Sequence, residues 1–205
     1  MPTEATRRQQ VAAEGEAVIR AARHSVYQHD TFVDVATRTY DMDCSGYVGY
    51  VLEQIAPRHY HTIPAAGIRP LAFEFYERFS SLPVHGADGW GWRRVASLMD
   101  ARRGDIVAWR SERLEPGFNT GHVFVVVYDP ETLADGVVAV RAYDSSNILH
   151  YNDTRARAGA PPATGLGVGT IRFRYTGDGP EFQFGRRDAF HECALAIARL
   201  EPIDD

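Results

Sequence analysis

Residues 43–56 read DCSGYVGYVLEQIA. Val48, Val51, Leu52 and Ile55 recur at three- and four-residue spacing, which predicts an amphipathic helix that Pro57 brings to an end. Cys44 then stands at or near the helix N-terminus, where unpaired backbone N–H groups and the helix dipole favour negative charge. A thiol so placed is expected to have a lowered pKa and to act as a nucleophile. The competing reading of a lone cysteine is a small buried hydrophobe. Gly46, in the first turn, is a poor helix former, costing about 1 kcal/mol against Ala. Its presence predicts a close approach to the backbone, a substrate being one candidate.

Upstream, Val11, Val18 and Ile19 with several alanines predict a first amphipathic helix over roughly residues 4–23. Residues 25–43 (SVYQHDTFVDVATRTYDMD) mix polar and aromatic side chains and read as an ordered loop. A further helix is expected over residues 70–80. After Gly104 the period changes: DIVAWR, HVFVVVY, GVVAVRAYD, GVGTIRFRYT and EFQFG are short β-branched and aromatic runs divided by turn residues. Asp129-Pro130 and Asp135-Gly136 bracket the connection between His122–Val127 and Val137–Tyr143, which reads as a hairpin that brings His122 near Asp144. Residues 150–169 form a Pro/Gly-rich excursion suited to a surface or substrate-facing role. Residues 188–200 (DAFHECALAIARL) fit a helix or a strand, with the balance toward strand. The fold class expected is α+β, helices packed on a mainly antiparallel sheet, in one domain over 1–205 with an N-terminal helical extension at about 1–24.

The chain has 205 residues, 44% hydrophobic and 24% charged, which excludes a disordered or low-complexity chain. Twenty-two Lys+Arg against 27 Asp+Glu give a net charge of −5, so the overall basic footprint of a nucleic-acid binder is missing. Cys44 and Cys193 are too few for a disulfide scaffold or a four-thiolate zinc site, and Cys193 in an Ala-rich run reads as packed core. The first residues carry no continuous apolar core of a signal peptide and no later run reaches a membrane span, so a cytoplasmic location is expected unless a specialised secretion system exports the protein. His59 and His61 (HYH) read as a solvated loop rather than a metal site, and no cofactor or metal is implied.

Three segments together resemble the NlpC/P60 superfamily of papain-like cysteine peptidases. DCSGYV at 43–48 resembles the nucleophile motif, RRGDIVAW at 102–109 the Gly-Asp strand that precedes the base, and GHVFVVV at 121–127 the base strand. The resemblance implies a papain-like fold in which Cys44 is the nucleophile, His122 the base and Asp144, from RAYDSS at 141–146, the third polar residue. A His is more usual at that third position. In many relatives an upstream Tyr completes the oxyanion hole with the Cys backbone N–H; Tyr27 or Tyr40 takes that role here, although the usual Tyr-x-Trp-Gly-Gly stretch is absent. Asp43 and Ser45 are then expected to bind the substrate's free amine or wall peptide. The Gly89-Trp90-Gly91-Trp92 insert, Trp92 included, either walls the cleft or packs inside. Arg102, Arg103, Arg110 and Arg113 form either an anion-attracting rim or a scattered solvated set. His150 lies outside the triad on this reading.

The activity implied is hydrolysis of peptide bonds in bacterial cell-wall stem peptides, with a wall peptide as partner and no nucleic acid. Two biological routes follow: recycling of wall peptides, or an amidase toxin with secretion machinery and an immunity protein as further partners. Acyl transfer by the same Cys/His chemistry and a non-catalytic peptide-binding module are the alternatives.

Overall fold

The structure, a computed structural model, describes residues 5–111, 120–159, 161 and 163–203. The first helix, α1 (Arg7–Ala21), starts at a capping box in which Thr6 and Gln9 satisfy each other's backbone N–H groups. Residues expected as loop contain a small hairpin, β1 (Phe32–Asp34) and β2 (Thr39–Asp41). Next come α2 (Cys44–Ile55), the one-turn α3 (Pro57–Tyr60) and α4 (Ala72–Ser80). Pro57 ends α2 as expected and supplies the first residue of α3, where a missing N–H costs nothing.

The strands that follow are β3 (Trp92–Arg94), β4 (Ile106–Arg110), β5 (Gly121–Val126), β6 (Glu131–Thr132), β7 (Val138–Ser146), β8 (Gly165–Thr176), β9 (Gly179–Gln183), β10 (His191–Glu192) and β11 (Ala194–Leu200). They form one antiparallel sheet in the order β10-β9-β8-β7-β5-β4-β11-β3, with β6 also on β7. The architecture is therefore α+β. The ambiguous segment at 188–200 is strand: β11 lies between β4 and β3 and pairs with both.

Alternation along the strands divides the core in two. Val123, Val125 and Val127 face the helices together with Val48, Val51, Leu52 and Phe75. Phe124 and Val126 face the other way, with Trp109, Val140, Ile171 and Phe173. The sheet curls around that second cluster. Trp109 on β4 stacks on Phe182 of β9 at 4.6 Å although three strands separate them in the sheet order, and the Cys193 N–H donates to Pro180 O at 3.0 Å. No helix among the described residues is long and apolar enough to cross a membrane.

Candidate active site

The decisive local feature is a fork between β5 and β7. They pair through Val125↔Tyr143 and Val126↔Ala142. Continuing that register would pair Phe124 with Asp144 and Val123 with Ser145, but the strands part before those pairs form. The start of α2 enters the opening. Ser145 Oγ donates to Met42 O at 2.5 Å, and the backbone N–H groups of Val123 and Ser45 act on the Cys44 sulfur.

Asp43 caps α2: its Oδ1 accepts from the Gly46 N–H at 2.7 Å and from Ser45 Oγ at 3.0 Å. Its Oδ2 lies 2.8 Å from Arg69 Nη2 and 3.4 Å from His29 Nδ1. Arg69 also donates to Ser45 Oγ and to His29 O, both at 2.6 Å, tying two loops to the helix start. Asp43 and Ser45, expected to meet substrate, are thus held in the cap, and Arg69 is the residue beside them that the sequence reading missed. Gly46 makes room not for a substrate but for Thr31, whose Oγ1 would lie 2.6 Å from an added Cβ.

On the fork's other side, His122 Nε2 lies 2.8 Å from Asp144 Oδ2. The hairpin reading that joined these two residues holds in the structure. Asp144 also receives His150 Nε2 at 2.6 Å on the same oxygen, and Arg155 Nη2 at 3.0 Å from Oδ1. All four side chains are nearly or wholly withdrawn from solvent. The Arg155 approach to Oδ1 is off the hydrogen-bond axis, so it supplies charge more than a directed bond. Burial pushes the Asp144 carboxyl up, and Arg155 and the two imidazoles outweigh it, holding it well below the usual carboxylate range. An ionised carboxylate only accepts, so both histidines donate from Nε2. Burial also lowers the His122 pKa, against the pull of Asp144, so at neutral pH the ring is an uncharged base.

The thiol behaves otherwise than the helix-start argument predicts. Cys44 is 4% exposed, and its pKa is raised, first by burial and then by the Asp43 carboxylate, with the Val123 and Ser45 N–H groups opposing. A low-dielectric site and a neighbouring negative charge outweigh the helix terminus. Among the described residues, no hydrogen bond joins Cys44 to His122.

Of the two candidate tyrosines, Tyr27 shares this environment: its pKa is raised by burial and then by Cys44 and Asp43. Tyr40 is buried and packs edge-on against Tyr50 at 6.1 Å. Trp92 is core rather than cleft wall, fully buried, with Nε1 donating to His59 O and Thr62 Oγ1 at 3.1 Å each. His59 is buried beside it, not solvated, and His61 pairs with Glu53 at 3.1 Å. Among the described residues, the three arginines of the expected rim each have a separate partner. Arg102 binds backbone carbonyls of Met99 and Ala101, Arg103 pairs with Glu16 and Arg110 lies over Tyr76, while Arg113 is outside the described residues.

His150 and Arg155 were not read as site residues. The signal for them lies on β8: an added Cβ at Gly169 would meet His150 Cβ at 2.5 Å, and one at Gly167 would meet Arg155 Nε at 2.7 Å. The ligand atoms of His122, Asp144 and His150 lie within 4.8 Å of one another, close enough to raise the question of a metal. Tetrahedral ligands at about 2.0–2.1 Å from one ion stand roughly 3.4 Å apart. The observed 2.8 and 2.6 Å are hydrogen-bond separations, and Arg155 brings a cation to the same carboxylate.

No protein-family model, curated protein or solved structure matches this chain. The functional reading rests on the geometry and the motifs.

Proposed function

We propose that the protein is a papain-like cysteine hydrolase of the NlpC/P60 kind, a peptidase or amidase acting on bacterial cell-wall stem peptides. The observation that carries the reading is the insertion of the Cys44 helix start into the β5/β7 fork, against the strand that bears His122, itself bonded to Asp144.

The raised thiol and the uncharged imidazole favour concerted base catalysis over a resting ion pair. In the first step His122 Nδ1 takes the Cys44 proton while sulfur attacks the peptide carbonyl carbon. Asp144 stabilises the imidazolium that forms, and N–H groups at the start of α2 receive the oxyanion, with Tyr27 as the side-chain donor. Collapse of the tetrahedral species breaks the C–N bond; His122 returns its proton to the leaving amine and a thioester remains on Cys44. Water, deprotonated by His122, then releases the acid and restores the thiol. Apo active sites commonly hold such groups at longer range than the reacting complex, which accommodates the missing thiol–imidazole bond.

The burial of the thiol favours one second reading, a module that retains the fold and binds a peptide without cleaving it. Incubating the protein and Cys44→Ala with muropeptides and free stem peptides, with products identified by mass spectrometry, separates the two. Cleavage by the wild type alone supports the hydrolase; binding without cleavage by either supports the module.

A further inference from the structure

The Asp144 carboxylate serves two imidazoles, and the proposed mechanism uses only one. His150 is wholly buried, its ring stacked on Phe184 at 4.9 Å with 9° between the planes. Its Nδ1 is buried with no hydrogen-bond partner among the described residues. Its backbone N–H donates to Asp153 Oδ2 at 2.8 Å, and Asp153 holds Arg155 through Nε at 2.8 Å and Nη2 at 2.9 Å. Arg155 in turn donates to Gly165 O at 3.0 Å. Asp144, His150, Asp153 and Arg155 are therefore one buried unit. It sets two carboxylates against one guanidinium, and His122 joins it on Asp144 Oδ2.

We propose that His150 is a positioning residue: by donating its Nε2–H to the Asp144 oxygen that His122 uses, it holds the carboxylate in place and limits how strongly that oxygen draws a proton onto His122. The inference rests on the reading of His122 as the base for Cys44. An oxygen that already accepts one hydrogen bond has part of its negative charge neutralised and draws a second donor's proton less strongly. The 2.6 Å bond to His150 is shorter than the 2.8 Å bond to His122, so the competition is real. His122 is faced by Asp144 of β7, by His150 and Arg155 from the segment after β7, and by the uncharged rings of Trp109, Phe124 and Phe184. Of these, only His150 and Arg155 restrain the carboxylate, and only His150 does so on the shared oxygen.

Replacing His150 with Phe keeps the stack on Phe184 and removes the donor. The His122 titration, followed by NMR of the imidazole carbon and nitrogen signals, is then expected to move up by about one pH unit. The acid limb of kcat/KM should move with it, about tenfold lower activity at a fixed pH on that limb. His150→Gln, which offers an N–H at similar reach, should restore the wild-type position; His150→Leu takes the place of the Phe variant if the latter does not fold. An unmoved His122 titration in a folded donorless variant, or the same shift in His150→Gln, would overturn the proposal. The NMR readout needs no substrate. Its failure is therefore distinct from failure of the hydrolase reading, which is the absence of Cys44-dependent cleavage.

Discussion

Cys44 sits between opposing influences, and the balance decides its chemistry. The helix terminus and two backbone N–H groups favour a thiolate, while burial and the Asp43 carboxylate favour the thiol and prevail. Alkylation of Cys44 by iodoacetamide should therefore climb only at pH above the range of a free thiol, about 8.5. A thiolate plateau between pH 5 and 7 would show that an ion pair with His122 exists at rest. The acid limb of kcat/KM should fall below the ordinary imidazole value of about 6.5, because burial lowers the His122 pKa and activity requires the uncharged ring. The supporting charges carry stability as well. Asp144 titrates well below the usual range in the fold, so its contribution is present above the ordinary carboxylate pKa and is lost as pH falls below it. Arg155→Met leaves Asp144 and Asp153 short of their buried cation and should cost about 3–5 kcal/mol at neutral pH, read from urea unfolding. A loss within 0.5 kcal/mol would contradict the view that this charge set is balanced by Arg155.

At the scale of elements, the fork depends on where pairing stops. Gly121 opens β5 at φ +134°, and an added Cβ would lie 2.0 Å from Trp109 O. Gly121→Ala should cost about 1–3 kcal/mol in backbone strain alone and lower kcat by displacing His122; wild-type stability and rate in this variant would refute that role. The helix α2 and the long strands were legible because apolar period and β-branched composition agree there with burial. The hairpin between His122–Val127 and Val137–Tyr143 followed from two apolar runs and the turn residues between them, while its register did not. The β1/β2 hairpin and β3 were not legible, since three-residue strands carry too little pattern, and β3 owes its existence to β11, more than a hundred residues away. Cys44, His122 and Asp144 could be named from their segments, whereas His150 and Arg155 could not. They sit in a Gly/Pro-rich excursion that reads as surface, and burial by β8 glycines is a tertiary event. The thiol's raised pKa was also out of reach, because the sequence gives the helix end but not the dielectric around it.

Over the whole molecule, the groups proposed to act in catalysis come from the N-terminal helices and the sheet, and the last strand locks the sheet together. β11 pairs with both β4 and β3, and Ile197 and Ala198 are buried on opposite faces of it. A chain ended before Ala194 leaves β3 without its partner and opens both cores along β4. Such a chain should show no cooperative thermal transition by near-UV circular dichroism; a transition at the wild-type Tm would mean that β11 is dispensable. Attack of Cys44 on a peptide carbonyl is tested by acid-quenched turnover of a stem peptide, analysed by intact-protein and peptide mass spectrometry. An acyl adduct is expected on the Cys44 peptide of the wild type, with neither adduct nor product from Cys44→Ala. Product released by Cys44→Ala at the wild-type rate would contradict it.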